Sequence, residues 1–348
     1  MKEKKVKKKK TWWQRLIIIS VCVIASLGII LLGAIAYLRL PVNSYYSSSE
    51  KAFKIPGLGD SFVPQGMHYD SATDSFFVSG YCSNDEASPV YIVNKTSGEL
   101  TREVRLQKAD GTAFTGHSGG VAVYQDYVYI AGGNDHCLYV FSYADFMTKT
   151  TAKCIGEIPL KISDTDYIDV SFVSVHGNTL FVGEFYDGNK YDTLDTHIVQ
   201  TKGGATNQAL ILTFFLSPTL QFGVGENSPY SAISVCNEVQ GIYYDEATDT
   251  MYLSTSYGLA FSHIYEHDLK QMNTEGTTTV LGKETTLYSL DSNSLVHDYK
   301  IPPMSEEIVY LDGELYVMCE SASSKYIFGK LTGGQWCYKT NLSEMKKK

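Results

Sequence analysis

Short runs of alternating apolar and polar residues, separated by polar turns, dominate the chain after residue 60. The clearest example is residues 64–80, PQGMHYDSATDSFFVSG, and nearly the same phrase returns at residues 239–255, VQGIYYDEATDTMYLST. Looser copies occupy residues 118–132, 171–184 and 306–319. Alternation over about four to eight residues between turn-forming residues is typical of β-strands. Each phrase therefore predicts two strands joined by a tight turn.

The five phrases recur along the chain, and further strand-like runs follow each of them, including residues 286–290 and 326–331. Four short antiparallel strands per repeat form the blade of a β-propeller. We therefore predict an all-β fold, a five-bladed β-propeller preceded by one N-terminal transmembrane helix, with a sixth blade left open. Polar stretches at about 186–207 and 268–284 are predicted to be loops. Residues 54–56 are predicted to close the ring by pairing with the last blade.

The strand–turn–strand phrases resemble those of the broad group of β-propellers that contains the NHL, YncE-like and SMP-30/gluconolactonase-like proteins. The resemblance covers about residues 60–340 and lies in the rhythm of the phrases. It implies that a ligand would bind in the channel mouth, where the innermost strands begin. The lactonases of this group carry a metal-binding Glu where this chain has Gln65.

The N-terminal segment differs from the rest of the chain. Residues 1–15 are predicted to be a basic cytoplasmic tail, residues 16–38 a transmembrane signal-anchor, residues 39–52 a linker and residues 53–348 the extracytoplasmic propeller. An uncharged run of this length is enough to span a bilayer, and the Lys and Arg residues before it orient the N-terminus toward the cytoplasm. We therefore predict a bacterial plasma-membrane protein with its bulk outside. A signal peptide cleaved after Ala36 is the alternative.

The net charge changes which partners are expected. The whole chain carries −9, and residues 1–39 carry seven Lys and two Arg against one Glu, which is +8, so the remainder carries −9 − 8 = −17. An acidic domain repels nucleic acid, which excludes that partner, and favours cations. Six of the seven cysteines follow the apolar run without CxxC spacing. We interpret them as mostly buried and unpaired, with one or two disulfides left open.

Polar residues at the starts of the predicted inner strands are the candidate site. Inner strands of a propeller run parallel around the axis, so the residues before them converge on one face. The ends of the second strands return to that face and add Tyr81 and further carboxylates. The predicted ligand-binding residues of this channel mouth are Gln65, His117, Ser118, Ser171, Glu184, Glu238, Gln240, Glu306, Glu307 and Glu320.

Two readings of these polar residues remain open. Glu184, Glu306 and Glu320 could bind Ca²⁺, because carboxylate oxygens are the ligands that this hard cation prefers. Alternatively, the polar side chains only satisfy backbone groups and a water-filled channel. The run GHSGG at residues 116–120 is similar to the segment around a protease nucleophile, but His117 replaces the acidic residue, and we expect the glycine pair to permit close approach of strands.

The leading hypothesis is a membrane-anchored binding module for a glycan, peptide or protein, with no catalytic residue identified. The first alternative is a metal-dependent hydrolase of lactonase or esterase type, in which a bound cation such as Ca²⁺ activates water. The second alternative is a structural scaffold without a small ligand. A complete set of nucleophile, base and orienting acid is not visible in the sequence, which favours binding over catalysis.

Overall fold

The N-terminal part of the chain forms one long apolar helix. This computed structural model describes residues 11–225, 228–326 and 328–347, and helix α1 spans Trp12–Arg39. Thr11 begins the helix with a capping box, in which Thr11 and Gln14 each accept a hydrogen bond from the other's backbone N–H. The helix is long and apolar enough to cross a membrane, a property that signal sequences share. Residues 1–10 of the predicted basic tail lie outside the described residues.

The remainder of the chain, residues 44–348, forms a separate compact unit built mainly of β-strands. Helix α2, Asn43–Ser47, leads into strand β1, Ser49–Lys54. Residues 43–52, which the sequence predicted to be linker, are therefore in regular structure. The prediction failed because Ser-rich composition resembles that of a linker, whereas β1 is held by pairing with a strand about 290 residues later, Ser49 lying opposite Thr340.

The first two groups of strands are antiparallel meanders of four strands each. Their outermost strands, β5 and β9, pair in parallel, so the two groups share one eight-stranded sheet. Helix α3, Tyr143–Thr148, connects the last two strands of the second group. The strands are β2 Phe62–Asp70, β3 Ser75–Cys82, β4 Pro89–Asn94, β5 Leu100–Gln107, β6 Val121–Tyr124, β7 Tyr127–Ala131, β8 Cys137–Ser142 and β9 Thr151–Pro159.

The third group is also a meander of four strands, and two small hairpins accompany it. Of the predicted loop at 186–207, only the short hairpin near its end is strand. The main strands are β12 Phe172–His176, β13 Thr179–Gly183, β16 Ala209–Phe215 and β17 Ser231–Val235, and the small hairpins are β10 Lys161–Ser163 with β11 Asp166–Tyr167 and β14 Val199–Gln200 with β15 Thr206–Asn207.

The fourth group contains a long hairpin that joins its neighbour. Strand β22 pairs in parallel with β17, so this hairpin extends the sheet of the third group to six strands. The prediction of a loop at 268–284 is wrong, and the strand predicted at 286–290 belongs to the third sheet. The many Thr residues of the hairpin, at 274, 277–279 and 285–286, supply strand propensity that its polar composition concealed. The strands are β18 Val239–Asp245, β19 Thr250–Thr255, β20 Ser262–Asp268, β21 Asn273–Val280, β22 Lys283–Ser289 and β23 Leu295–Ile301.

The fifth group is completed by the N-terminal strand. Strands β24 Ser305–Leu311, β25 Glu314–Cys319 and β26 Trp336–Thr340 form a sheet in the order β1-β26-β25-β24. The strand predicted at 326–331 is wrong, because helix α4, Gly329–Thr332, begins in this segment. Helix α5, Leu342–Lys346, follows β26. The segment before the first repeat therefore closes the ring by pairing with the last sheet. The pairing strand is β1, Ser49–Lys54, which includes only Lys54 of the predicted residues 54–56.

The five innermost strands form a closed ring of contacts, in the order β2, β6, β12, β18, β24 and back to β2. The two strands of the repeats pair in the same register. Met67 of β2 faces Val78 of β3, and Ile308 of β24 faces Val317 of β25. A ring of antiparallel sheets around a central axis is the architecture of a β-propeller.

Large apolar side chains fill the space between neighbouring sheets. Phe53, Phe76 and Tyr316 pack the fifth group against the first, with ring centroids 5.3 Å and 4.9 Å from Phe76. Each such fully buried side chain contributes about 1.5–3 kcal/mol. All seven cysteines lie among the described residues and are free, and of the six after the apolar run five are buried, while Cys236 is partly buried. Inter-sheet packing therefore stabilises the ring without disulfides.

Candidate functional site

Residues from several sheets meet at the end of the ring where the inner strands begin. Gln65 from the first group is hydrogen-bonded to Glu320 from the fifth. Tyr81 from the first group stacks on His117 from the second and binds Lys325 from the fifth. We call this region the mouth and define it by the residues Gln65, Tyr81, His117, Lys190, Glu306, Glu320 and Lys325.

Gln65 and Glu320 form the polar link between the first and last groups. The register of β2 shifts between Pro64 and Gly66, and this irregularity leaves Gln65 outside the regular pairing. Its Nε2 donates to Glu320 Oε2 at 3.1 Å and to its neighbour's carbonyl, Pro64 O, at 2.8 Å. Burial raises the pKa of Glu320 to about 7, although Lys325 and the Gln65 hydrogen bond oppose the shift. Glu320 therefore exchanges its proton near neutral pH.

Glu306 is a buried carboxyl group beside Glu320. The register of β24 shifts between Ser305 and Ile308, which places Glu306 and Glu307 together in the irregular segment. Glu306 is 2% exposed and forms no side-chain hydrogen bond to any residue within the described ranges. Burial raises the pKa of Glu306 well above its usual range, and the nearby carboxylates Glu320 and Glu307 raise it further. Burial thus favours the protonated form of Glu306, whose hydroxyl is a hydrogen-bond donor.

Glu307 points into the gap between the inner strands of the fourth and fifth groups. Its Oε1 accepts a hydrogen bond from the Ile242 backbone N–H at 2.8 Å, while Oε2 is buried without a partner among the described residues. A Cβ at position 241 would collide with this carboxyl group, so Gly241 provides its space. Burial raises the pKa of Glu307 well above its usual range. Glu307 therefore joins two inner strands, which is a structural role.

Aromatic and basic side chains form the outer part of the mouth. The rings of Tyr81 and His117 stack with centroids 4.7 Å apart and an angle of 26° between their planes. Lys325 Nζ donates to the Tyr81 hydroxyl at 2.6 Å and lies over the rings of Tyr81 and Tyr326. Surrounding protein atoms lower the pKa of His117, and the positive charges of Lys325 and Lys190 lower it further. His117 is therefore neutral at neutral pH.

The loop after β13 brings Lys190 to the mouth. Asp187 Oδ1 accepts hydrogen bonds from three successive backbone N–H groups, those of Asn189, Lys190 and Tyr191, at 2.8–2.9 Å. Lys190 Nζ is then 3.0 Å from the hydroxyl of Tyr191. Sequence reasoning missed Lys190 and Lys325, because both lie in loops that do not follow the repeat. Of the two, only Lys190 lies in a segment that the sequence had singled out, the predicted loop at 186–207.

Glu184 is separated from the other predicted metal ligands by its own contacts. It is fully buried, its two carboxylate oxygens are each 3.0 Å from His197 Nδ1, and Oε2 also accepts from the Leu210 N–H at 3.0 Å. Across residues 11–225, 228–326 and 328–347, no group of three or more acidic, His or Cys side chains is arranged to hold a metal. Glu184 therefore anchors the loop that contains His197, and Ca²⁺ binding by Glu184, Glu306 and Glu320 stays a prediction.

The remaining predicted residues contribute mainly backbone contacts. Ser118 is buried with φ of 49°, and its carbonyl accepts a hydrogen bond from Ser79 Oγ at 3.1 Å. Ser171 donates its N–H to Gly183 O at 2.9 Å. Gln240 Nε2 donates to Ser256 O at 3.3 Å, and the Ser256 N–H donates to Glu238 O at 2.9 Å. These four residues hold the inner strands and loops in place beneath the exposed aromatic groups.

The closed ring of sheets, with the polar and aromatic residues of the mouth at one end, is the architecture of a β-propeller. No family model and no curated protein sequence matches the chain. Among solved structures it is similar to glutaminyl cyclase of Myxococcus xanthus, with 9% identity, a TM-score of 0.42 and coverage of 84% of this chain and 94% of that one. It is also similar to the PQQ-bound aldose sugar dehydrogenase of Streptomyces coelicolor, with 15% identity, a TM-score of 0.39 and coverage of 78% and 76%.

A third similar structure is hydrazine synthase of Kuenenia stuttgartiensis, with 13% identity and a TM-score of 0.38. The match covers 75% of this chain and spans only 56% of that one. Likeness at this level carries no activity to the present chain. The resemblance of the phrases to the NHL, YncE-like and SMP-30-like groups stays a prediction.

The raised pKa of Glu320 predicts a measurable pH dependence of stability. The folded protein keeps a proton up to about pH 7, whereas the unfolded chain releases it near 4.5, so folding takes up a proton between these values. We expect the free energy of unfolding to decrease as pH rises from 4.5 to 7, by about 1–3 kcal/mol from this group. We expect the free energy of unfolding, measured in urea at several pH values, to fall less steeply with pH for Glu320→Gln than for the exposed control Glu99→Gln. Equal slopes would contradict the assignment.

Proposed function

We propose that the protein is a membrane-anchored, five-bladed β-propeller that binds a glycan in its mouth. Helix α1 acts as an uncleaved anchor with the N-terminus in the cytoplasm and the propeller outside. The observation that carries the binding proposal is the buried carboxyl group of Glu306 in the mouth, which forms no side-chain hydrogen bond to a described residue. A buried polar group without a protein partner is costly, unless water or a ligand satisfies it.

The chemistry of the mouth suits a hydroxylated ring better than a peptide. Protonated Glu306 donates a hydrogen bond, Glu320 exchanges its proton near neutral pH, and Gln65 both donates and accepts. Sugar hydroxyls likewise donate and accept, while the apolar face of a sugar ring packs on aromatic rings such as Tyr81. Extended peptides are usually recognised at exposed sheet edges, whereas the mouth presents side chains from loops and strand ends.

The proposal is tested with the full chain in detergent on a panel of immobilised neutral and acidic oligosaccharides. We expect at least one glycan to bind, and Tyr81→Ala to weaken that binding by about tenfold, because it removes the stacking face. The matched control is Tyr127→Ala, since Tyr127 begins β7 at the opposite end of the strands. If the two variants bind alike, the mouth is only structural and the scaffold hypothesis is favoured.

A further inference from the structure

Two lysines share the mouth with the carboxyl groups of the inner strands. Lys325 reaches it from the loop after β25, and Lys190 reaches it from the loop after β13, so the two ammonium groups come from different sheets. Neither ammonium group lies within 4 Å of a carboxylate among the described residues, in contrast to Lys339 and Lys346. Lys190 is exposed, and the carboxyl group of Glu320 near Lys325 is only partly ionised near neutral pH, so the two ammonium groups keep positive charge available for an anion.

The hydroxyl groups beside these lysines leave donors available. Lys325 Nζ carries three N–H donors, of which one is directed to the Tyr81 hydroxyl at 2.6 Å and a second to Tyr326, so one remains. Lys190 Nζ is 3.0 Å from the Tyr191 hydroxyl, and its charge acts on both His117 and Lys325. The positive charge of Lys325 acts unfavourably on that of Lys190, and an anion bound between the two would relieve this repulsion.

His117 completes the cluster. Its ring is held against Tyr81, and the charges of both lysines disfavour its protonated form. An anion bound at the lysines would neutralise that effect and stabilise the imidazolium, so the pKa of His117 should rise when the anion binds. This coupling gives a readout located within the cluster itself.

We propose that Lys190, Lys325, His117 and Tyr81 form an anion subsite, which receives the acidic group of a carboxylated sugar. The proposal rests on glycan binding in the mouth and names the class of glycan. The neutral, hydroxylated part of the sugar faces Gln65, Glu306 and Glu320, while its carboxylate contacts the ammonium groups. A sugar phosphate offers the same charge, and the experiment separates these two sources.

The test measures binding of D-glucuronate, glucose 6-phosphate and the neutral control D-glucose to the full chain in detergent by titration calorimetry. We expect glucuronate to bind at least about tenfold more tightly than glucose, and Lys190→Met and Lys325→Met each to weaken glucuronate binding about three- to tenfold. Glucose binding should not change. The charge-matched control is Lys270→Met, because Lys270 follows β20 at the opposite face. The His117 pKa, followed by NMR, should rise with glucuronate.

Each outcome separates the subsite from glycan binding in general. Equal affinity for glucuronate and glucose, or lysine variants with unchanged affinity, would overturn the anion subsite while leaving a Tyr81-dependent glycan site intact. Lysine-dependent binding of glucose 6-phosphate alone would support the subsite and identify phosphate as its anion. If none of the three probes binds while a neutral glycan does so in a Tyr81-dependent manner, the subsite is wrong. If no glycan on the panel depends on Tyr81, the proposed function itself fails.

Discussion

Replacement of Tyr45 by alanine is expected to lower the free energy of unfolding by about 3–5 kcal/mol, the usual cost of removing a buried aromatic side chain. Tyr45 is 1% exposed and packs against Tyr46 and Tyr338, with ring centroids 5.3 Å and 6.0 Å away. Burial raises the pKa of its hydroxyl well above the usual range. Loss of the ring opens a cavity beneath the last strand of the propeller. Urea unfolding of the full chain in detergent measures the change.

The matched control is Tyr45→Phe, which keeps the ring and removes only the hydroxyl. We expect it to cost about 1 kcal/mol, the typical net contribution of one hydrogen bond. If Tyr45→Ala proved no more destabilising than Tyr45→Phe, the segment after helix α1 would be a linker, as its composition suggested.

Tyr45 matters because the segment that follows helix α1 also closes the ring. Ser49 Oγ lies 2.8 Å from Thr340 Oγ1, and the Asn341 N–H donates to Ser48 O at 2.9 Å. The two ends of the propeller are thus joined by strand pairing between β1 and β26. Strand β1 pairs with the edge of β26 that would otherwise be free and becomes the outermost strand itself, so the closure depends on residues that follow helix α1 in sequence.

The repeat could be predicted from the sequence because its signal is local. Each inner hairpin joins neighbouring residues by a short turn, and the two DxATD turns are held by their own side chains. Thr73 Oγ1 donates to Asp70 Oδ2 at 2.6 Å, and Thr248 Oγ1 donates to Asp245 Oδ2 at 2.8 Å. Turn chemistry of this kind is encoded within a few residues. The inner strands and their alignment followed directly from it.

The outer strands and the site depended on contacts that are distant in sequence. Strand β1 pairs with β26, and the hairpin of β21 and β22 joins the sheet of the third group, neither of which a local pattern reveals. At the mouth, Gln65 was correctly expected near Glu320, because both positions follow from the alignment of phrases. The sequence could not show that Glu184 is paired with His197, because His197 lies in a loop outside the repeated strand pattern.

Replacement of Gly120 by alanine is expected to destabilise the propeller by about 3 kcal/mol, at the upper end of the usual cost of overpacking. A Cβ on Gly120 would lie 2.6 Å from the Val173 backbone nitrogen and 3.0 Å from Phe172 Cα. Both atoms belong to the neighbouring inner strand, so no side-chain rotation relieves the clash. A Cβ on Gly66, in the inner strand on the other side, would lie 2.7 Å from Gly120 Cα. The inner strands therefore approach closely around the axis.

The control for this prediction is Gly59→Ala, because a Cβ at Gly59 meets no atom within 4 Å. We expect that variant to unfold within about 0.5 kcal/mol of the original chain. Both changes in the free energy of unfolding follow from the shift in the urea midpoint, when the dependence of that free energy on urea concentration is the same in the variant and the original chain. Because the clash would push β6 away from β12, Gly120→Ala should also weaken glycan binding at His117, which lies three residues before it. A Gly120→Ala protein as stable as the Gly59 control would mean that the inner strands can separate freely, and the mouth would then lack the rigid frame on which its binding geometry depends.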